Sequence, residues 1–424
     1  MKKLLLLFIL FLTTVITAQD YYLQCGKIVD PQSGGLLSEK TIIVSGDRIK
    51  SIQDGFVNGT SNDKVIDLKS KFVLPGFIDM HVHIEGESSP SRYIERFTKN
   101  EADIAFQSTV YAERTLMAGF TTVRDLGGSG VNIALRNAIN KGVVKGPRIF
   151  TAGKAIGTTG GHADPTNGMK KELMGDPGPM EGVVNSPEDA KKAVRQRYKN
   201  GADVIKITAT GGVMSVAKNG QNPQFTEEEI RGIVEAAKDY GMLTAAHAHG
   251  DEGMQRAVKG GIKTIEHGTL MSEETMDLMI QHKTYLVPTI SAGKAAAEMA
   301  EIPGFLPPIV AQKAREIGPV SQATFGKAYK KGVPIAFGTD AGVSPHGENG
   351  KEFGFMHEAG MPIIETIRSA TIINAELLGM ENDLGQLKGG FLADIIAVDE
   401  NPLKNVNTLE NVVFVMKNGE VFKQ

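Results

Sequence analysis

The chain has 424 residues, a formal charge of −3, ordinary charged and hydrophobic fractions, 49 glycines and one cysteine. That length exceeds a single small core and points to one large domain joined to a smaller one. The small, evenly spread charge, the absence of tryptophan and the lack of interleaved basic and aromatic residues argue against a nucleic-acid surface.

Residues 1–18 read as a leader. Lys2 and Lys3 precede an apolar run from Leu4 to Leu12, followed by smaller and more polar residues to Ala18. This is the pattern of a secretory signal peptide cleaved after Ala18, and the run is short for a stable membrane span. A secreted or periplasmic location is expected. Leu23-Gln24-Cys25-Gly26 faintly resembles a lipid-attachment site but lies well past the apolar run, within a strand-like segment. As the sole cysteine, Cys25 cannot form an intrachain disulfide.

Residues 19–74 read as short strands and turns, with a hairpin pattern in Thr41-Ile42-Ile43-Val44, Ser45-Gly46-Asp47 and Arg48 to Ile52. Residues 380–424 match this style. Ala393 to Val398 reads as a strand, and Val412 to Phe422 as a hairpin turning at Asn418-Gly419. Two β-rich ends around a different middle predict a small β-sandwich assembled from both termini.

The middle, residues 75–379, alternates apolar strands with amphipathic helices. Phe77 to His83 is the first strand, and Gly119–Asp125, Pro147–Thr151 and Asp203–Ile207 are the next three. Leu243–His247, Thr264–His267, Thr284–Val287 and Pro334–Gly338 complete eight. Helical patterns fall between them, as at Pro187–Lys199 and at Thr226–Asp239, which opens with a capping-box pattern. Eight strands alternating with helices predict an α/β fold of the (β/α)8 TIM barrel type. An open doubly wound sheet is the alternative, but no Gly-x-Gly-x-x-Gly follows the first strand.

In such a barrel, chemistry collects at the C-terminal strand ends. His81 and His83 stand there on strand one, and at i and i+2 they share a face. Alone, a His-x-His carries little. Lys206 on strand four, His247 on strand five, His267 on strand six and Asp340 after strand eight would face the same mouth. Lys206 sits between Ile205 and Ile207 in a strand buried on both faces, where an unpaired ammonium is costly. It is either paired with a buried carboxylate or neutral and carboxylated by carbon dioxide, and the converging histidines favour the second.

These pieces together resemble the amidohydrolase superfamily, in its binuclear branch with a carboxylated lysine. The resemblance rests on Pro75 to His83, Ile205-Lys206-Ile207, Ala246-His247-Ala248-His249-Gly250, Ile265-Glu266-His267-Gly268 and Gly338-Thr339-Asp340-Ala341-Gly342. It implies two divalent ions, expected to be Zn2+. His81, His83 and Asp340 would hold the more buried ion, His247 and His267 the more exposed one. Lys206, as an N6-carboxylated bridge, would bind both together with a hydroxide. Two close cations make hydroxide near neutral pH, and Asp340 is placed to pass its proton to a leaving amine.

His162, in the Gly160-Gly161-His162-Ala163-Asp164 loop after strand three, is a second catalytic candidate, steadying the carbonyl oxygen or the substrate. His249 is expected to have turned into a loop, Arg124 and Asp125 to form a structural ion pair, and His282, His346 and His357 to lie on the surface or in loops. Gly211 to Ser215 leaves room for a close-approaching ligand. The strand-four run and the Gly-Gly-His loop most resemble the Xaa-Pro dipeptidase and imidazolonepropionase-related subgroup. The resemblance implies a dipeptidase of prolidase type, releasing a C-terminal amino acid from dipeptides or N-acyl amino acids. Imidazolonepropionase-like members use one metal and lack the strand-four lysine, which argues against them. Hydrolysis of a cyclic amide, lactone or other ester is the alternative, and a non-catalytic binding protein a remote one. The partner is a small-molecule substrate, and the oligomeric state, a homo-oligomer included, stays open.

Overall fold

The computed structural model describes residues 19–424; the expected leader, residues 1–18, lies outside that range. The N-terminal stretch forms β1 (Tyr21–Asp30), β2 (Gly35–Ser45), β3 (Arg48–Asp54) and β4 (Lys64–Pro75). The middle carries β5 (Phe77–Val82), β6 (Phe120–Asp125), β7 (Arg148–Thr151), β8 (Val204–Thr208), β9 (Leu243–Ala248), β10 (Thr264–His267) and β11 (Tyr285–Val287), alternating with helices. Then come β12 (Ile395–Val398), β13 (Val412–Lys417) and β14 (Glu420–Lys423).

Both ends of the chain pair into one seven-stranded sheet in the order β14-β13-β12-β4-β1-β2-β3. The antiparallel β4–β12 pair is the seam between the two ends, and β1 runs parallel to β4. Asn418 and Gly419 take φ values of 49° and 76°, the left-handed pair that a two-residue hairpin turn requires. Alternation along the strands separates two apolar faces. Leu23, Cys25, Ile42, Ile66 and Phe414 gather on one. Leu74, Ile396, Val398 and Val412 face the main core. Burial pushes the Cys25 thiol up to about 12, so it stays protonated and packs as a small hydrophobe.

The central strands form two parallel sheets, β5-β6-β7 and β11-β10-β9-β8. Every residue of β5, β6 and β8 is buried, as parallel strands covered on both faces should be. The helices Pro187–Asn200 and Glu227–Asp239 stand where the apolar periodicity places them. Thr226 and Glu229 close the expected capping box on the second.

The expected eighth strand at 334–338 is not a regular strand. Among the described residues it makes one isolated bridge, Leu286 to Ile335. Pro334 lacks an N–H, and the Thr339 N–H donates to the Asp79 side chain instead of to a neighbouring strand. The Asn374 amide takes the Ile78 and Phe337 carbonyls as well. The segment still spans the gap between the sheets: Ala336 N–H donates to Leu286 O, Met80 N–H to Phe337 O, and Asp340 N–H to His81 O. At the other pair of edges, Ile156 and Ile207 form a parallel bridge. The fold is mixed α/β, with two parallel sheets tied at both edges by single bridges rather than by continuous ladders.

Candidate metal centre

The ends of β5, β8, β9 and β10 and the turn after residue 338 bring all six expected ligands into one cluster. The Asp340 Oδ1 atom lies 3.5 Å from His81 Nε2 and 3.4 Å from His83 Nε2. Lys206 Nζ is 3.5 Å from His81 Nε2. The His81 and His267 rings are 5.1 Å apart, and those of His247 and His267 4.7 Å. Asp340 and His267 have φ values of 57° and 72°, a backbone region costly for non-glycine residues. Strain of that kind persists where the surrounding structure enforces a functional geometry.

Each ring nitrogen has a definite task. His83 Nδ1 lies 2.6 Å from the Gly127 carbonyl, and His81 Nδ1 2.9 Å from the Glu266 carboxylate. Both partners only accept, so both Nδ1 atoms carry the proton. Burial holds His83 at about 3 and His81 well below its usual value, so both rings are neutral and their Nε2 atoms present lone pairs. Those lone pairs face Asp340 Oδ1, a buried oxygen with no hydrogen-bond partner among the described residues. Three electron-rich atoms directed at one point are unfavourable unless a cation sits between them. His247 follows the same logic: its Nε2 lies 3.0 Å from the Gly211 carbonyl and carries the proton, which leaves Nδ1 to present the lone pair. The donor set therefore fits a divalent metal.

Lys206 is 3% exposed, and burial lowers its pKa to about 8 against the opposing pull of Glu266 and Asp340. Burial likewise raises Asp340 to about 7. Both groups thus exchange protons far closer to neutrality than their free counterparts do.

Several supporting residues carry no sequence-level assignment. The expected Arg124–Asp125 ion pair does not form, because neighbours on a strand point to opposite faces. Arg124 instead donates 2.8 Å to Glu266 Oε1, while Asp125 accepts from Thr151. The Glu266 carboxylate therefore links Arg124 to His81 in a fully buried relay. Asp79 accepts from the His81 N–H, the Thr339 N–H and hydroxyl, and the Asn349 amide, binding the His81 strand to the Asp340 turn. His267 Nδ1 is 2.6 Å from the hydroxyl of Thr289, which caps the helix Ile290–Glu301 at φ 49°. Buried Glu352 accepts from Ile290 N–H, Ser291 N–H and the Ser291 hydroxyl, holding that helix end in place.

Glu352 yields a pH prediction. Burial raises its pKa from 4.5 to about 7. The folded chain then binds this proton more tightly than the unfolded chain. Its contribution to stability is present below about 4.5 and lost as the pH rises through about 7. Urea unfolding at pH 5 and pH 7 should show wild type losing more stability than Glu352→Gln over that interval. The excess slope should be at most about 1.4 kcal/mol per pH unit.

His249 lies just past the end of β9, in the loop as expected, but it is buried at the cluster. Its ring lies 4.7 Å from His247 and 4.9 Å from His267, and the three form a second possible ligand triad. The N–H of His249 is tied to Thr210 and its ring to Thr269, which keeps it facing inward. His162 stacks on His247 at 4.4 Å. His346 lies in a turn, as the loop expectation allows, but is buried: it stacks on Tyr111 and lies 3.0 Å from the Gly86 carbonyl. His282 and His357 are exposed, as expected. Above the cluster opens a cavity of about 740 Å³, and Val213, Met214 and Ser215 of the glycine-rich loop line one wall.

The amidohydrolase family model matches residues 72–422. The chain belongs to the amidohydrolase family. Its architecture superposes on the crystal structure of a Xaa-Pro dipeptidase with methionine bound in the active site at a TM-score of 0.93. That pair shares 52% identity over 96% of this chain and 100% of the other. A prolidase complexed with N-methylphosphonate-L-proline superposes with a TM-score of 0.87 at 33% identity, covering 96% and 100% of the two chains. The ochratoxinase of Aspergillus niger is 34% identical over 373 residues, 83% of this chain and 75% of that protein. As an amidohydrolase with peptidase and amide-hydrolase relatives, this chain is a hydrolase acting on carbon–nitrogen bonds. Among the described residues no helix is long and apolar enough to cross a membrane.

Proposed function

We propose that this amidohydrolase is a metal-dependent dipeptidase of prolidase type, releasing a C-terminal amino acid from dipeptides or N-acyl amino acids. The observation that carries the reading is the placement of the His/Asp/Lys cluster at the floor of a cavity of about 740 Å³, a volume suited to a small ligand. Likeness to a Xaa-Pro dipeptidase along both whole chains supports it.

In this reading the two parallel sheets act as one (β/α)8 barrel spanning 75–379, with residues 19–74 and 380–424 as the β-sandwich unit. His81, His83, Asp340, His247, His267 and an N6-carboxylated Lys206 would hold two divalent ions, taken as Zn2+. Carboxylation requires the neutral amine that burial favours: its nitrogen adds to carbon dioxide, an N–C bond forms, and one proton leaves to solvent. Divalent ions in this cluster would acidify a water and polarise the scissile carbonyl. Asp340 would take the attacking water's proton and hand it to the leaving nitrogen. His162, stacked on His247 at the cavity wall, donates to the carbonyl oxygen as it gains charge. The leader at 1–18 would direct the enzyme out of the cytoplasm, with cleavage after Ala18.

His162 has its own test. A Cβ on Gly212 would lie 2.2 Å from the His162 ring, so Gly212→Ala must push the imidazole aside. We expect turnover to drop by about 10²-fold with little change in melting temperature. Turnover equal to wild type would remove His162 from the mechanism. The substrate class is tested by assaying zinc- and bicarbonate-supplied enzyme against dipeptides, N-acyl amino acids, lactones and cyclic amides. Turnover confined to the last two groups would overturn the dipeptidase reading.

A further inference from the structure

A dipeptide or N-acyl amino acid carries one group that the metal ligands leave unexplained, its terminal carboxylate. A buried or half-buried carboxylate needs a cation or several N–H donors to replace its water. Besides Lys206 of the ligand cluster, the cavity is lined by three cations, Arg92, Arg96 and Lys154. They are not equivalent. The Arg96 side chain is exposed, and both of its Nη atoms are tied to the Pro165 and Asn167 carbonyls of the loop after β7. Lys154 is exposed and stands near Glu181.

Arg92 differs from both. It is half-buried at the start of the helix Arg92–Thr98, which contributes Arg92, Tyr93 and Arg96 to the cavity wall. Tyr93 of the same helix donates its hydroxyl to the Met214 carbonyl, 2.8 Å away, while Arg96 holds the opposite loop. The helix is thus tied down on two sides, which fixes where Arg92 can reach. Its Nη1 donates to Ser88 Oγ and to the Gly342 carbonyl, at 3.2 and 3.3 Å. Ser88 follows the His83 turn, and Gly342 lies two residues beyond Asp340. Both tethers are neutral, and among the described residues no carboxylate is within ion-pairing distance of Arg92. Nε and Nη2 make no hydrogen bond among these residues. A cation held by neutral groups, with three of its five N–H donors unspent and beside the reacting cluster, is arranged for an anion that arrives with the ligand.

We propose that Arg92 binds the C-terminal carboxylate of the substrate, and so makes the enzyme selective for compounds that carry a free carboxylate next to the scissile amide. The assignment rests on the dipeptidase reading for the identity of the substrate. The geometry also sets an exopeptidase limit: a chain continuing past that residue would place an uncharged amide against the guanidinium.

The test compares each substrate with its C-terminal carboxamide, using zinc-loaded full-length enzyme and the variants Arg92→Met, Arg92→Gln and Arg92→Lys. Wild type should prefer the acid in kcat/KM, and Arg92→Met and Arg92→Gln should reduce that preference by about 10²-fold. Arg92→Lys should retain part of it. Amides of Xaa-Glu, whose only carboxylate is on the side chain, should not recover the acid's advantage; if they do, any nearby carboxylate suffices and the C-terminal assignment fails. No preference in wild type, or an undiminished one in Arg92→Met and Arg92→Gln, overturns the proposal. Binding of free L-methionine and of L-methioninamide, followed by calorimetry on the same proteins, separates this failure from that of the dipeptidase reading. If wild type hydrolyses neither acid nor amide yet binds the acid more tightly through Arg92, the dipeptidase reading falls and the anion site stands. If it binds both alike, the anion site falls as well.

Discussion

Lys206→Ala is expected to lose most of its bound metal and at least about 10³-fold in kcat/KM, which corresponds to about 4 kcal/mol of barrier. Lys206 lies in a strand buried at every position, within 3.5 Å of a histidine nitrogen that presents its lone pair. As an ammonium it would repel a metal ion; as a carbamate it would be an anionic ligand at the same point. Stability should not fall in parallel, because the substitution removes an amine that burial already penalises. Lys206→Met fills the same volume without a nitrogen and should match Lys206→Ala in metal content and activity while holding its melting temperature closer to wild type. Metal analysis, steady-state rates with and without bicarbonate, and thermal unfolding give the three readouts. Wild-type turnover in either variant would sink the carbamate. Partial recovery of Lys206→Ala by added short carboxylic acids would support an anionic ligand at this position.

The reasoning that picks out Lys206 also shows what is legible in a chain of this kind. His81 and His83 can be read because strand alternation puts residues i and i+2 on one face, and the polar residues at later strand ends extend the same rim. The helix Glu227–Asp239 is legible for a similar local reason: Thr226 and Glu229 are only three residues apart, and their capping box forms. Asp79 and Glu266 were open to the argument used for Lys206, since each is a fully buried charged residue inside a parallel strand. Their partners were not. Arg124 and Glu266 are distant in sequence, and no spacing rule joins them across two sheets. The irregular segment 334–338 reads as a strand by composition; besides Pro334, the tertiary bonds of Asn374 to the Phe337 carbonyl and of Asp79 to the adjoining Thr339 N–H explain why it is not one. His249 and His346 are loop residues, as the sequence suggests, but their burial is not legible in it. Their hydrogen bonds to Thr269 and to the Gly86 carbonyl are tertiary, and burial follows from the assembled fold.

The relay through Glu266 gives the second large effect. Glu266→Ala leaves the Arg124 guanidinium, 0% exposed, without its counter-charge, and breaking a buried pair in this way costs about 3–5 kcal/mol. Arg124 would keep the Met80 carbonyl and the Thr264 hydroxyl as neutral partners, which do not replace a carboxylate. His81 would lose the acceptor that holds its proton on Nδ1, so its Nε2 would no longer be the fixed donor. Glu266→Gln separates these two losses. The amide oxygen can still accept from either Arg124 or His81, so the fold should survive, while the fixed tautomer is lost. Metal affinity should then weaken by about 10- to 100-fold in a protein that still unfolds cooperatively. The double variant Arg124→Met/Glu266→Gln removes the buried cation and should unfold at higher denaturant than Glu266→Ala, without recovering metal affinity. Denaturant midpoints and metal titrations on the three variants decide the matter. If Glu266→Gln bound metal as tightly as wild type, the carboxylate would serve Arg124 alone, and the tautomer of His81 would have to be set by some other contact.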